Sequence, residues 1–326
     1  MRAIISRLAV TLATCSLVGL PAMAAAQQVY PSKPIRLIVP YPPGGSTSTV
    51  ARLVGQKLTE RWGQQVLVDN RGGGNTIIGS EIMVKSAPDG YTILLVTATH
   101  VINPSLIPLP YDALKDFAPV ATLVGTEYLM VVNPSVPANN LQEFISLAKS
   151  RPGQINYGSS GSGTTNHLAG ELLNLTAGIK MQHVPYKGGG PALADLLGGQ
   201  VQMLITTVQS LLPHVRSGKL RAIAMTGSAR SPALPQVPTF AEGGVPGISM
   251  NSWFGILAPA GTARELIDRL STEVARVLVL PDMKERLSNE GVEPFINSPE
   301  QFAALMKADL TRFATLIKAA NIKIDP

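Results

Sequence analysis

Two stretches of this chain set glycines and hydroxyl residues directly ahead of a helical pattern. The first is Val39-Pro40-Tyr41-Pro42-Pro43-Gly44-Gly45-Ser46-Thr47-Ser48-Thr49. An apolar run ends there, prolines stiffen the turn, two glycines let the backbone approach a ligand, and hydroxyls stand at the start of a helix. A helix N-terminus offers unpaired backbone N–H groups and partial positive charge, which suits an anion. In open α/β sheets, ligands gather outside the carboxyl ends of the strands, where such loops sit. An ordinary strand-to-helix turn capped by Ser or Thr fits the same residues. The second stretch, Asn156-Tyr157-Gly158-Ser159-Ser160-Gly161-Ser162-Gly163-Thr164-Thr165-Asn166-His167, repeats the logic. Neither loop carries Arg or Lys, so binding would rest on backbone donors and hydroxyls, favouring a reversibly held carboxylate over a tightly gripped phosphate. A third turn, His183-Val184-Pro185-Tyr186-Lys187-Gly188-Gly189-Gly190, adds an aromatic and a cation. Lys187 either lends charge to a cleft or lies on the surface, the commoner place for a lysine.

The spacing argues against enzymes. A nucleophile elbow needs Gly, Ser and Gly at alternate positions, which Gly158-Ser159-Ser160-Gly161 does not supply. Gly72-Gly73-Gly74 lacks the third spaced glycine and the strand–helix setting of a dinucleotide fingerprint, and there is no P-loop. The four histidines, at 100, 167, 183 and 214, form no i, i+4 pair, so neither a metal site nor a cofactor is expected. His167, at the first turn of its helix, reads as a structural hydrogen-bonding residue more readily than as a catalytic base.

The elements that must position these loops alternate in kind. Ile35–Val39, Val66–Val68 and Tyr91–Thr97 read as strands, with helices over Thr49–Arg61 and Ile77–Ala87. The alternation returns with helices over Leu141–Ser150 and Thr164–Ala177. Extended runs fall at Ile155–Tyr157, Met181–Val184, Val201–Thr206 and Leu220–Met225. Strands alternating with helices predict parallel sheets covered on both faces. Thr262-Ala263-Arg264-Glu265 and Ser298-Pro299-Glu300-Gln301 fit the capping box, and Asn140-Leu141-Gln142-Glu143 is a weaker version. Glu127–Val136 and Met250–Pro259 break the rhythm and read as two extended crossovers between lobes. The expectation is an α/β fold of two lobes, each a mostly parallel sheet flanked by helices, hinged by two crossover strands. Residues 27–127 and 250–326 would build lobe 1, and 128–249 lobe 2.

Residues 1–26 have the layout of a cleaved secretory signal: Arg2 and Arg7, an apolar run from Leu8 to Leu20, then Pro21 and the small residues before Gln27. The run is short of the ~20 apolar residues that span a bilayer. Cys15, the one cysteine of the chain, falls inside it, so the mature protein would have no disulfide or thiol chemistry. Without Arg2 and Arg7, 25 basic residues face 21 acidic ones, a formal net charge of +4. The basic residues are scattered, which suits small anions and argues against nucleic acid.

Further motifs run along the chain: Tyr30-Pro31-Ser32-Lys33-Pro34-Ile35-Arg36, Ala87-Pro88-Asp89-Gly90-Tyr91-Thr92, Asn103-Pro104-Ser105-Leu106, Gly218-Lys219-Leu220-Arg221-Ala222, Val237-Pro238-Thr239 and Trp253-Phe254-Gly255-Ile256-Leu257-Ala258-Pro259. Together with the three loops, their number and order resemble the solute receptors of tripartite tricarboxylate transporters, the Bug receptors, from about Tyr30 to the C-terminus. The resemblance implies a periplasmic binding fold (type II-like) that closes on a small carboxylate and delivers it to two membrane subunits. It implies ligand contacts at Tyr41, Pro43, Gly44, Gly45, Ser46, Thr47 and Ser48, at Thr99 and His100, at Ser159, Ser160, Gly161, Gly163, Thr164 and His167, and at Tyr186 and Thr206. Two positions depart from the family pattern. Ser48 stands where an Asp is usual, and the strand ending in Met203-Leu204-Ile205-Thr206-Thr207 lacks the usual Phe-Asp-Asn. Both departures remove a carboxylate, so the expected ligand is an amine-free mono- or dicarboxylate. The chain is expected to be a periplasmic monomer without enzymatic activity. A receptor signalling to a sensor is the alternative, and a serine hydrolase using Ser160 the remote one.

Overall fold

The structure is a computed structural model that describes residues 30–248, 250–319 and 322. The expected signal segment lies outside the described residues. The first half of the sheet is built by β1 (Ile35–Val39), α1 (Ser46–Trp62), β2 (Val66–Asn70), α2 (Ile77–Val84), β3 (Thr92–Thr97) and the short α3 (Thr99–Ile102). β4 (Phe117–Val132) leads out of it. The second half follows as α4 (Leu141–Ser150), β5 (Asn156–Ser159), α5 (Thr165–Ala177), β6 (Gln182–Pro185), α6 (Gly189–Leu197), β7 (Met203–Thr207), α7 (Val208–Arg216) and β8 (Arg221–Met225). β9 (Asn251–Pro259) returns, and α8 (Arg264–Leu278), α9 (Pro281–Asn289), β10 (Glu293–Pro294) and α10 (Pro299–Ala319) close the chain.

The strand order is β2-β1-β3-β9-β4-β7-β5-β6, with β8 and β10 also paired to β4. β1 pairs in parallel with β2 and β3, and β5 with β6 and β7. Their core strands are almost continuously buried (Ile35-Arg36-Leu37-Ile38-Val39 and Met203-Leu204-Ile205-Thr206-Thr207), as expected of strands covered on both faces. β4 joins the halves. Its residues from Phe117 to Glu127 pair antiparallel with β9, and those from Tyr128 to Val132 pair with β7 and β8. The extended segment therefore starts at Phe117, ten residues before the sequence suggests, because Ala118–Val124 are needed to cover β9.

Two of the three cap readings match what forms. Ser298 Oγ accepts from Gln301 N (3.2 Å) while Gln301 Oε1 accepts from Ser298 N (2.9 Å). Asn140 Oδ1 caps Glu143 N at 2.9 Å. The box at Thr262 does not form: its hydroxyl donates to Pro259 O (2.8 Å), closing the turn behind it, and α8 starts from Ala263 with no side-chain cap. α10 is tied to the returning crossover by Trp253, whose Nε1 donates to buried Asp309 at 2.8 Å.

Candidate functional site

The carboxyl ends of β1, β3, β5 and β7 open onto one cleft between the two halves. Four helices begin there, α1, α5, α6 and α7, and none has a side-chain hydrogen bond at its N-cap or an acidic residue in its first turn. The cleft encloses a narrow cavity of about 50 Å³, room for a few waters. The β1–α1 loop contributes Tyr41, Pro42, Gly44, Gly45, Ser46 and Thr47 to its wall, and Thr97 and Thr99 follow β3. Ser160, Thr164 and Asn166 come from the α5 end, Gly189, Gly190 and Leu193 from α6, and Thr206, Thr207 and Ser210 from β7–α7. The crossovers supply Tyr128 and Phe254.

No charged side chain lines this cavity. The first-turn N–H groups of the helices, which precede the intrahelical ladder, bring partial positive charge to it instead. In α1 that ladder starts with Ser48 N and Thr49 N on Gly45 O, and in α5 with Leu168 N on Thr164 O. Burial pushes the hydroxyls of Tyr41 and Tyr128 above their ordinary titration range, the latter to about 12, so both stay neutral and able to donate.

Local bonds fix each loop. Asn70 Nδ2 holds Tyr41 O (2.9 Å) and lies 3.0 Å from Ser48 Oγ, while the Tyr41 hydroxyl meets Thr97 Oγ1 at 2.8 Å. In the second loop, Ser159 Oγ contacts Gly161 N (3.1 Å) and Gly161 O (3.0 Å), and His183 Nε2 lies 2.6 Å from the same Oγ. Gly163 N donates to His167 Nδ1 at 3.0 Å, and the two imidazoles stack with centroids 4.0 Å apart. Burial, with the neighbouring His167 adding to it, pulls His183 down to about 3, so it is neutral at ordinary pH. Although Ser159 and His183 are in hydrogen-bond contact, Ser159 is fully buried, turned into its own loop, and absent from the cavity wall. A nucleophile needs access and an oriented base.

The halves touch across the cleft. Gln209 Nε2 donates to Ser46 O at 3.2 Å, and Gly188 and Gly190 lie against Pro42 and Pro43. A second, outer cavity of about 480 Å³ adjoins the first and shares Tyr41 and Ser160 in its wall, with Gly161, Tyr186 and Lys187 beside them.

The structure gathers Tyr41, Gly44, Gly45, Ser46, Thr47, Thr99, Ser160, Thr164 and Thr206 around the inner cavity. Gly161 and Tyr186 face the outer one, and Pro43 presents its carbonyl to Gly190. Ser159, Gly163 and His167 stand behind the loop and shape it. Two expected positions are placed elsewhere. Ser48 is 1% exposed and turned to Asn70, because helix α1 begins three residues earlier than the pattern suggests. His100 is buried against Phe117 and Tyr111 with Nε2 2.8 Å from Ala113 O, and burial lowers it to about 4. The wall also takes in Thr97, Asn166, Gly189, Gly190, Thr207 and Ser210, which the sequence pattern does not mark as ligand contacts. The run of hydroxyls in Thr206-Thr207-Val208-Gln209-Ser210 was the signal for the last two. Among the described residues no cluster of His, Cys, Asp and Glu could hold a metal, and no helix is long and apolar enough to cross a membrane.

The family model described as the tripartite tricarboxylate transporter family receptor matches residues 50–322. The protein BugT of Bordetella pertussis is 37% identical over 298 residues, covering 90% of this chain and 91% of that one. The structure of Rpa4515 from R. palustris with adipate superposes with a TM-score of 0.88 at 35% identity, covering 90% of this chain and 99% of that one. MatC from Rhodopseudomonas palustris with bound malate gives 0.84 at 31% identity, covering 88% and 100%.

Proposed function

Since the chain belongs to the tripartite tricarboxylate transporter receptor family, whose members are two-lobed periplasmic binding proteins and not enzymes, we propose that it captures a small amine-free carboxylate in the inner cavity. The observation that carries this reading is the convergence of four uncapped helix N-termini on a cavity without a charged side chain. Such a wall attracts an anion through oriented N–H groups and hydroxyls. It holds no acid to receive an ammonium, which disfavours amino acids. Adipate and malate, bound by the two relatives, are both amine-free dicarboxylates.

In this proposal a carboxylate sits among Ser46, Thr47, Ser160, Thr164 and Thr206. Ser159, Gly163 and His167 hold the second loop in shape behind it. The lobes meet between residues 127 and 128 and near residue 250, and they close by bending there. The mature chain is a periplasmic monomer starting at Gln27, and the loaded form hands its ligand to the two membrane subunits of a tripartite transporter.

The test is a thermal-shift screen of residues 27–326, stripped of co-purified ligand by unfolding and refolding, against small carboxylates and amino acids. A ligand at about 100 times its Kd adds roughly 2.7 kcal/mol, a shift of several degrees. A response to amine-free carboxylates is expected. A response to amino acids alone overturns the ligand class, and silence throughout overturns the carboxylate site.

A further inference from the structure

We propose that the outer chamber is a second anion subsite with Lys187 as its counter-ion, so that the preferred ligand is a dicarboxylate reaching from the inner cavity past Tyr41 and Ser160. This rests on the reading of the inner cavity as a carboxylate site and extends it to the ligand's far end. The inner chamber offers about 50 Å³ and the outer about 480 Å³, and Tyr41 and Ser160 stand in both walls. A short acid head fits the first, while a chain of several carbons must project into the second.

Neither wall contains an Asp or Glu, and Lys187 is the one charged side chain in either. Lys57, by contrast, lies 2.8 Å from Glu60 and 2.6 Å from Asp282. Among the described residues no ion pair or hydrogen bond holds the Lys187 ammonium. Asp195, the acid on α6, accepts the Tyr186 hydroxyl at 2.7 Å. Lys187 also directly precedes the N-terminus of α6, whose partial charge has the same sign.

The facing wall is built from strained backbone. Asn75 and Thr76 both have left-handed φ, 52° and 75°, and are held by Asn103 Nδ2 on Asn75 O (2.8 Å) and Asn75 Nδ2 on Asn103 Oδ1 (2.7 Å). Strain of this kind collects at ligand clamps. Asn75 Oδ1 is buried without a donor. An unpaired acceptor on that side disfavours a carboxylate, which leaves the far carboxylate to the Lys187 side.

The experiment is calorimetric titration of the stripped chain with straight-chain mono- and dicarboxylates of matched length, roughly four to eight carbons. Wild type, Lys187→Gln and Lys187→Glu are compared at about 50 and 200 mM salt. The wild type should prefer the dicarboxylate about three- to tenfold, less at the higher salt. Lys187→Gln should remove that preference and leave monocarboxylate affinity unchanged, and Lys187→Glu should reverse it. Loss of both affinities in parallel, or an unchanged ratio, overturns the proposal. If monocarboxylates bind and Lys187→Gln changes nothing, only the outer subsite falls. If neither class binds the wild type, the inner site falls with it.

Discussion

A β-carbon on Gly188 would lie 2.6 Å from Cγ of Pro42. The two residues belong to opposite halves of the molecule, and each sits in a loop that leads into a cleft helix. Gly188 adopts φ of 138°, which side-chain-bearing residues rarely do, so its place is set by backbone conformation and by contact together. Beyond it, a β-carbon on Gly190 would be 3.5 Å from Pro43 O. The lobes thus close glycine against proline, with no side chain of Gly188 or Gly190 between them.

Gly190→Leu tests closure without backbone strain, since Gly190 is helical with no positive φ. A leucine there fits an open cleft and collides with Pro43 and Gly44 in a closed one. Carboxylate affinity should fall by about a hundredfold, close to 3 kcal/mol, while the melting temperature of the ligand-free protein stays nearly constant. Titration calorimetry beside a ligand-free melt checks it, and undiminished affinity would show that Gly190 does not meet lobe 1 in the bound state.

Thr206 and Ser48, the two positions where a family acid is missing, should behave differently. Thr206 lines the cavity, whereas Ser48 faces Asn70 Nδ2. Thr206→Asp places a like charge beside a bound carboxylate and should weaken it at least about tenfold more than Ser48→Asp does. Equal losses would mean that the Ser48 side chain swings into the cleft on binding.

The contrast between these positions shows what was legible in the sequence. The strand–loop–helix pattern and its Gly/Ser/Thr content placed nine of the expected residues around one cavity, because a hydroxyl just after a strand end has little choice of direction. Ser48 is placed differently because a one-dimensional pattern marks a helix start only to within a few residues, and a start three residues earlier moves Ser48 from the loop ahead of the helix into its first turn, against Asn70. His100 follows β3 as a ligand residue would, yet its surroundings are Phe117 and Tyr111, which arrive from later in the chain. The α7 end was missed because its hydroxyls carry no glycine, and only the pairing of β4 with β7 brings them to the cleft. The crossover at β4 was visible as a break in rhythm, but its early start depends on pairing with β9, more than a hundred residues away.

Acid stability follows from the buried histidines. His100 is lowered to about 4 and His183 to about 3, in both cases chiefly by burial. Above the ordinary histidine value near 6.5, neither folded nor unfolded chain holds these protons, and they contribute no pH dependence. As pH falls from about 6.5 toward 4, the unfolded chain takes up protons that the folded one refuses, so stability drops. His100→Gln should lose about 2 kcal/mol less than wild type between pH 7 and 4.5, whatever its stability at pH 7. Urea unfolding at both pH values measures the difference; parallel losses would mean that His100 is protonated in the folded protein.

The last prediction separates positioning from packing at His167. Among its contacts, Nδ1 accepts from Gly163 N at 3.0 Å, and the ring face stacks on His183 at 4.0 Å. Phenylalanine keeps the stack and leaves the Gly163 donor unmet, while asparagine restores an acceptor and gives up the stack. If the bond to Gly163 sets the loop that carries Ser160 and Thr164 to the cavity, affinity and stability should move in opposite orders. His167→Phe should retain most of the melting temperature and lose about tenfold in carboxylate affinity. His167→Asn should be the less stable protein and the better binder of the two. Were affinity to track stability across both variants, the ring would act through packing alone, and the shape of the loop would have to come from Ser159 and His183.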